Sequence, residues 1–410
     1  MNNLRKYWLN MHRYLGLSAG SMFVLLGLTG TINAFWVELD SWLNPQLVIS
    51  QTQGDCRSLD EILKAVQAVH PNRNGSWELV MPPQGNGMLT AIYSKPEEKM
   101  DEFYAGLWVD VNPYTAEVVR SYFWGDTAMT WIFDLHSTLL LGQTGQNIVG
   151  IFGLVFMFSL GTGLYLWWPS SGRVSQAFII KRGASNPRLV FDIHRVTGVY
   201  GILILLMVAF SGIYMIYPEY IDPIVANSPD QKNPKDWTST TDPGTKPISI
   251  AQAILIAKRV FPDAEVKRIS TPNGKLGVYK VALRQPSEIF KTSYPETQVW
   301  IDQYSGTVLG SNDPKEYTNL KTFLSIQWEL HSGQAFGLAG RILDCLVGLV
   351  PSILYITGFV RWLQKRRAGQ KNRHKSGIAI KTGEIERETW ARAVEKFDSR
   401  RNFGLSDRRR

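Results

Sequence analysis

The sequence predicts an α-helical membrane protein: a four-helix transmembrane bundle with two α+β inserts outside the cytoplasm, built as an internal duplication. Three observations predict this fold class. Four apolar stretches each reach the ~20 residues that a helix needs to cross a bilayer. Polar inserts of about a hundred residues follow the first and third stretches. Short motifs also recur at matched spacings in the two halves of the chain, which is typical of a repeated unit.

One histidine stands near the beginning of each apolar stretch. His12 opens the motif His-Arg-Tyr-Leu-Gly and His194 opens His-Arg-Val-Thr-Gly, and a glycine follows each histidine after eighteen residues. His136 and His331 both stand in the motif Leu-His-Ser, with glycines six, nine and twenty-seven residues further on. The matching offsets indicate that one unit of helix, insert and helix occurs twice.

Residues 1–37 are predicted to form the first transmembrane helix, with its apolar run at Leu15–Trp36. The basic residues before this run are also typical of a cleaved signal peptide. The run is too long for a signal peptide and no small-residue cleavage site follows it, so we expect a retained anchor. Residues 38–130 are predicted to form the first insert. Ser58 is a good N-cap for a helix, and alternating apolar residues at 77–81, 89–93 and 106–111 predict strands.

The next three segments are predicted from hydropathy and charge. They are a second transmembrane helix with an interfacial beginning (131–168), a cytoplasmic loop (169–192) and a third transmembrane helix (193–218). Lys and Arg residues are concentrated before the first helix, between the second and third, and after the fourth. By the positive-inside rule, both termini and this loop are cytoplasmic and both inserts lie on the opposite side.

The second half repeats this order. Residues 219–326 are predicted to form the second insert, in which Ser249 begins a helix and the segments 277–283 and 298–302 read as strands. Residues 327–364 supply the fourth transmembrane helix, again with an interfacial beginning, and residues 365–410 form a basic cytoplasmic tail. The net charge of +9 is concentrated in that tail, so we expect contacts with anionic membrane lipids and no nucleic-acid partner.

The four histidines form two pairs in this topology. His12 and His194 lie near the cytoplasmic surface, whereas His136 and His331 lie near the outer surface. Two imidazoles on facing helices can bind haem iron axially from both sides. The sequence therefore predicts two haem b groups, the inner held by His12 and His194 and the outer by His136 and His331, with Met157 as an alternative ligand at one site. A single four-histidine zinc or copper site is disfavoured because a layer ~30 Å thick separates the pairs.

Other residues near the histidines have two interpretations each. The neighbouring glycines either give room to a porphyrin or let helices pack closely. Arg13 and Arg195 either bind haem propionates or serve as positive-inside anchors. Arg341 either contacts the outer haem or pairs with Asp344. His70 and His374 are expected to be ordinary surface residues.

The sequence resembles the PepSY-associated transmembrane family over about residues 1–365. The resemblance is carried by the His-Arg-x-x-Gly motifs, the Leu-His-Ser motifs, and the helix-then-hairpin inserts with Trp108-Val109-Asp110 and Trp300-Ile301-Asp302. It implies that the inserts are PepSY-like modules. The family is thought to include haem-containing membrane reductases that release iron from ferric siderophores, so the resemblance implies a role in iron acquisition.

The expected function is that of a dihaem reductase of the bacterial inner membrane. It would pass electrons outward to a periplasmic ferric siderophore or other iron complex, and receive them from a cytoplasmic flavin or flavoprotein or from a quinol. No nucleophile, catalytic dyad or nucleotide-binding loop is recognisable in the sequence. Two alternatives remain open: a non-catalytic membrane protein whose PepSY modules bind or regulate a periplasmic partner such as a protease, and a transporter of the iron complex itself.

Overall fold

The computed structural model describes residues 3–49, 54–82, 87–168, 174–225, 237–240, 245–288, 294–370, 387–390 and 392. Its helices and strands follow one another in the order α1 (Asn3–Asn33), α2 (Trp36–Leu43), α3 (Leu59–Val69), β1 (Trp77–Val80), β2 (Leu89–Tyr93), β3 (Leu107–Val111), β4 (Val118–Phe123), α4 (Ala128–Thr138), α5 (Gly142–Trp167), α6 (Val174–Ala177), α7 (Asn186–Ile216), α8 (Pro218–Val225), α9 (Ile250–Val260), β5 (Glu265–Ser270), β6 (Val278–Arg284), β7 (Thr297–Asp302), β8 (Val308–Asn312), α10 (Asn319–Ser325), α11 (Gln327–His331) and α12 (Gly337–Gly348).

Four helical segments of the described residues are long and apolar enough to cross a membrane, as the sequence predicts. Three of them are α1, α5 and α7; the fourth is Gln334–Gln370, which contains α12. The helices α1 and α7 begin well before their apolar runs, so His12 and His194 lie inside helices and not ahead of them.

The chain divides into two compact units. The larger unit consists of residues 1–168 and 197–353, and it contains the sheet and most of the long helices. The smaller unit consists of residues 169–196 and 354–410. Within it, the buried carboxylate of Asp192 forms ion pairs with Arg188 and Arg195 at the beginning of α7.

The strands of both inserts form one continuous antiparallel sheet of eight strands, in the order β4-β3-β2-β1-β5-β6-β7-β8. The two inserts meet where β1 pairs with β5, with Leu79 opposite Ile269 and both side chains fully buried. The sequence predicts β1 and β6, but neither β5 nor the seam itself. The strand β5 carries Glu265, Lys267 and Arg268, and these charged side chains conceal its alternation.

The helices α3 and α9 pack on one face of the sheet, and both begin where the sequence predicts. Ser58 and Glu61 form a capping box at α3, and Ser249 and Gln252 form one at α9. The core beneath them is a single cluster to which both inserts contribute, including Ile62, Val66, Leu79, Val109, Ala253, Ile269, Val281 and Val299.

Each of the second and fourth spanning segments is preceded by a short helix that ends in a tight turn. Leu139 and Leu140 have positive φ angles of 50° and 59° in the turn between α4 and α5. A Cβ atom at Gly145 would lie 1.6 Å from the carbonyl oxygen of Thr138, and one at Gly340 would lie 2.2 Å from that of Gly333. Two of the glycines noted in the sequence are therefore required by these turns.

Candidate functional site

His136 and His331 face each other inside the larger unit. His136 belongs to α4 and His331 is the last residue of α11. Each helix is followed by a short turn and then by a spanning segment. Their ring centroids are 6.1 Å apart and the ring planes are inclined by 58°. The structure thus brings together the two histidines that the sequence assigns to the outer pair.

The orientation of the His136 ring is fixed by α1. Its Nδ1 lies 3.0 Å from Oγ1 of Thr29 and also bonds the carbonyl group of Leu26. The hydroxyl proton of Thr29 is already donated to the carbonyl oxygens of Leu25 and Leu26. Thr29 must therefore accept from Nδ1–H, and in this tautomer the lone pair of the ring is on Nε2.

His331 makes the corresponding contacts with α7. Its Nδ1 lies 3.0 Å from the carbonyl oxygen of Val208 and 3.0 Å from Oγ of Ser211. The Ser211 hydroxyl donates to the carbonyl oxygens of Met207 and Val208. The imidazole again carries its proton on Nδ1, which leaves Nε2 as the nitrogen that can bind a metal.

A glycine next to each hydroxyl residue makes room for the imidazole. A Cβ atom at Gly30 would lie 3.1 Å from Cε1 of His136, and one at Gly212 would lie 3.1 Å from Cε1 of His331. Such contacts are tighter than ordinary van der Waals contacts, so these glycines let the rings lie against the helix backbone. Gly30 and Gly212 thus make room for an imidazole ring, which is neither of the two interpretations that the sequence offers for the neighbouring glycines.

His12 has the same surroundings within the larger unit. Its Nδ1 lies 3.2 Å from the carbonyl oxygen of Ser159 and 3.0 Å from Oγ1 of Thr162, both on α5. The Thr162 hydroxyl donates to the Ser159 carbonyl oxygen. A Cβ atom at Gly163 would lie 3.1 Å from Cε1 of His12.

His194 repeats the arrangement within the smaller unit. Its Nδ1 lies 3.1 Å from the carbonyl oxygen of Leu354 and 3.0 Å from Oγ1 of Thr357. The Thr357 hydroxyl donates to the Leu354 carbonyl oxygen. A Cβ atom at Gly358 would lie 3.4 Å from Cε1 of His194.

Each of the four histidines therefore lies against a hydroxyl residue followed by glycine. These pairs are Thr29-Gly30, Thr162-Gly163, Ser211-Gly212 and Thr357-Gly358. The repeated offsets in the sequence indicate the four glycines but not the hydroxyl residues. The signal was present, because a Ser or Thr precedes each of the four glycines.

A cavity of about 1420 Å³ opens between His136 and His331. It is larger than the roughly 300–1,000 Å³ of common small-molecule sites. One part lies among the spanning helices, where Gly27, Gly30, Gly153, Gly212 and Gly348 line it. The other part reaches the sheet, where Trp108, Trp124 and Tyr294 line it.

Burial affects the protonation of the facing pair. It lowers the pKa of His136 to about 4, with a smaller contribution from the neighbouring His331. Burial also lowers the pKa of His331. Both side chains are thus neutral imidazoles at neutral pH, the form that binds metals.

Arg13 and Arg195 directly follow two of the histidines. Each uses part of its guanidinium group in hydrogen bonds within the protein. Arg13 donates from Nη2 to Oδ1 of Asn10. Arg195 pairs with Asp192 and donates to the carbonyl oxygens of Gln176 and Ile179. The Nε atoms of both arginines are buried and have no hydrogen-bond partner in the part of the chain that the structure describes.

Arg341 ties the fourth spanning segment to the end of α1. It donates to the carbonyl oxygen of Ala34 and forms a two-pronged ion pair with Glu38, and its guanidinium lies 4.5 Å from the ring centre of Phe35. The expected alternative, a pair with Asp344, is not found among the described ion pairs. The reason is geometric, since Glu38 on α2 offers both carboxylate oxygens. Asp344 instead lines the cavity.

The remaining candidates lie elsewhere. Met157, the alternative ligand, belongs to α5 and is not among the described residues that line the cavity. His70 shares a hydrogen bond with Ser121 at the surface of the sheet, as expected of a surface residue. His374 lies outside the described residues.

Comparison with known families gives one match. The sequence model of the PepSY-associated TM region matches residues 9–365. A search of curated proteins finds no match to this chain.

Proposed function

The chain belongs to the PepSY-associated TM region family, and on that premise we propose that it is a dihaem inner-membrane reductase that passes electrons outward to a periplasmic ferric siderophore. The observation that carries the proposal is the pair His136 and His331. Their rings face each other across a glycine-lined cavity, and each Nδ1 proton is held by a neighbouring helix.

The residues of this site fit a haem. The rings of His136 and His331 face each other with their centres 6.1 Å apart, and each has its Nε2 lone pair free of the hydrogen bonds that hold Nδ1. The two imidazoles could therefore hold one haem iron between them. The cavity is also large enough for a cofactor, and the glycines of the spanning helices remove side chains from its helix side.

When bound, haem supplies a one-electron carrier whose potential the axial ligands and their surroundings set. The chain's own residues have three tasks at this site. His136 and His331 would hold the haem through Nε2, while Thr29 and Ser211 accept hydrogen bonds from the Nδ1–H groups and fix the ring orientation. The neutral charge of both imidazoles keeps the ligating lone pairs available.

The inner haem is proposed from the repeat. His12 and His194 have the same contacts, each within its own unit, as the outer pair. The buried Nε atoms of Arg13 and Arg195 support the proposal that these side chains bind haem propionates, because a buried donor without an acceptor is costly. Arg341 is a weaker candidate for such a role, since Glu38 already occupies its guanidinium.

The proposed topology places both termini in the cytoplasm and the sheet in the periplasm, because Lys and Arg residues flank the spanning helices on one side. Electrons would then come from a cytoplasmic flavin or flavoprotein, or from a quinol. The internal duplication is part of the same proposal, since it explains why the four histidine contacts and the order of elements in the inserts occur twice.

The test is a visible spectrum of the detergent-purified protein, oxidised and dithionite-reduced, with a haem count. We expect two low-spin haem b groups per chain. H136A and H331A should each remove or convert one of them, whereas H70A, a histidine on the sheet surface, should change nothing.

A protein without haem after expression with ample haem supply would contradict the proposal. It would favour the hypothesis that the PepSY modules bind or regulate a periplasmic partner. If the protein binds two haems but reduces no ferric chelate, the dihaem part of the proposal stands and the reductase part is wrong.

A further inference from the structure

The part of the cavity next to the sheet is lined by residues that the haem proposal does not use. We call this part the vestibule and define it by Tyr104, Trp108, Trp124, Tyr294, Glu296 and Trp328. From its walls we infer that the vestibule binds an iron chelate with a net positive charge. The inference rests on the proposed reductase function and names the charge class of its substrate.

Aromatic rings form a continuous wall around the vestibule. The rings of Trp108 and Tyr104 lie 4.9 Å and 5.1 Å from that of Trp124, centre to centre. Phe133 continues the wall, with its ring centre 5.4 Å from that of Trp124 and 6.4 Å from that of Trp328, and Tyr294 lies 5.9 Å from Trp328. Aromatic faces attract cations, and they do so more strongly where water is excluded.

Charged residues of the cavity lining are almost all acidic. The acidic members are Glu102, Asp126, Asp134, Glu296, Glu329 and Asp344. Lys99 is the one basic member among the described lining residues, and it is paired with Glu102. A cavity lined by one sign of charge concentrates ligands of the opposite sign.

Glu296 stands where the acidic and aromatic surfaces meet. Its carboxylate accepts a hydrogen bond of 2.9 Å from the Tyr317 hydroxyl group. Lys280 and Lys321 interact electrostatically with this carboxylate. Neither lysine lines the cavity, and each lies over an aromatic ring instead. Glu329, a second carboxylate near Glu296, is only 2% exposed.

The guanidinium of Arg268 is engaged in the same way. Arg268 lies 4.0 Å from the ring centre of Tyr294 and pairs with Glu78 at 3.3 Å. It is not among the described residues that line the cavity. The surface offered to a ligand is aromatic and acidic, which suits a cation and disfavours an anion.

The experiment measures binding without electron transfer. The probes are gallium(III) complexes of one linear trihydroxamate that ends in an ammonium, an acetamide or a succinate group, so that the chelate carries one positive charge, none or one negative charge. Gallium(III) is not reduced, and binding to the purified holoprotein is followed by tryptophan fluorescence. We expect affinity to fall about fivefold with each step toward negative charge, the effect of about 1 kcal/mol of Coulomb energy.

E296Q should reduce the difference between the positive and negative probes. E117Q, the same substitution at an exposed turn of the sheet, should leave it unchanged. Equal affinity for the three probes, or preference for the negative one, would overturn the inference. Because the series on the wild-type protein needs no variant, misfolding of E296Q would not decide the question. Absence of haem or of iron reduction would contradict the reductase proposal instead, whatever the order of gallium affinities.

Discussion

Four histidines of this chain have their Nδ1 protons committed to a neighbouring helix. In each case a backbone carbonyl oxygen or a hydroxyl oxygen, itself bonded to the backbone, lies within 3.2 Å of Nδ1. Ligating histidines generally hold their second nitrogen in this way, which fixes the tautomer and makes the ligating nitrogen more basic. In the proposed dihaem protein, these contacts would fix the orientation of each ring before haem binds.

Gly30 should be essential to the outer site. In G30A the added methyl group would lie 3.1 Å from Cε1 of His136, so the ring must move away from its position. We expect the outer haem to be lost or bound 10–100-fold more weakly, the usual effect of disturbing ligand orientation. Haem titration of the purified protein measures this.

The control is G161A, at an exposed position of α5. A Cβ atom at Gly161 meets nothing within 4 Å. Alanine also has a higher helix propensity than glycine, so G161A should retain both haems. Equal haem affinity in G30A and the wild type would show that the glycine contact is not needed.

Ser211 should tune the potential of the outer haem. S211A removes one acceptor of the His331 Nδ1 proton and leaves the Val208 carbonyl oxygen. The ligand becomes less basic, so we expect the midpoint potential of one haem to rise. A spectroscopic redox titration measures the shift.

S211T keeps the hydroxyl group and should restore the wild-type potential. S18A, which removes a hydroxyl group from an exposed position of α1, should have no effect. If S211A and S211T gave the same potential, the hydroxyl group would have no part in tuning.

The sequence indicated the four histidines as candidate site residues because a polar ring at four matched positions is rare in apolar segments. It did not indicate the Ser and Thr residues that bond to them. Ser and Thr in membrane helices commonly bond to the carbonyl group one turn back, and Thr29 and Ser211 also do this. Only the distance between helices shows that they bond to histidine as well.

At the scale of elements, α9 is capped by a residue of the other insert. The carboxylate of Asp60, in the first turn of α3, accepts hydrogen bonds of 3.0 Å from the Ile250 N–H group and 3.2 Å from that of Ala251. A carboxylate at a helix N-terminus satisfies free N–H groups and interacts favourably with the helix dipole. The two inserts are thus joined at their helices as well as at their strands.

D60A should destabilise the sheet region as a whole. The loss of a capping carboxylate costs about 0.5–2 kcal/mol, and both inserts should be affected because Asp60 connects them. Thermal unfolding followed by near-ultraviolet circular dichroism measures the change. D263A, at an exposed position beyond α9, is the control and should leave the transition where it is; the prediction is wrong if both variants behave alike.

Asp302 should make the second insert sensitive to acid. Burial acts to raise its pKa, but the N–H groups of Ser305, Thr240 and Tyr304 outweigh burial and hold the pKa at about 2. An unfolded aspartate has a pKa of about 3.9. The stabilisation is therefore complete above that value and is lost as the pH falls toward 2.

Thermal unfolding at a series of pH values tests this. The wild-type protein should lose stability between about pH 4 and pH 2. D302N should be less stable at pH 7 and should show a smaller loss in that range. An unchanged pH profile in D302N would assign the acid sensitivity to other groups.

The strands and helices of the inserts were predictable where one face is buried. Ser58, Ser249 and the alternating residues of β1 carry clear signals. The strand β5 was not predictable, because its charged residues include Lys267 and Arg268, which are largely buried in ion pairs. Pairing of such residues is a property of the folded sheet and not of the local sequence.

At the scale of the whole molecule, the proposed reductase should transfer electrons in one direction across the membrane. The prediction is tested in proteoliposomes, with a reduced flavin on the side of the basic loops and a ferric chelate on the other side. We expect iron(II) to appear on the chelate side. H12A, which removes an inner ligand, should retain the outer haem in the spectrum and lose this transfer.

Dithionite added directly to the chelate side should still reduce the outer haem of H12A. This control distinguishes loss of electron transfer through the inner site from damage to the outer haem. Transfer at the wild-type rate in H12A would exclude the proposed role of His12.

The spanning helices and the two inserts could be predicted from the sequence, since hydropathy and length determine them. The union of the inserts into one sheet could not. Glu78 and Ser270, which pair across the seam, are about 190 residues apart in the chain, and no local pattern indicates a partner at that distance.

The seam between β1 and β5 also sets an order for the protein's biogenesis. Ribosomes add roughly 5–20 residues per second, so about ten to forty seconds separate the synthesis of the two strands. During that interval the first insert has an open strand edge, and such edges invite pairing with other chains. Two spanning helices, α5 and α7, are also made between the two strands. The nascent protein therefore passes through a stage in which the edge of β1 stays unpaired until β5 has been made and the two strands meet.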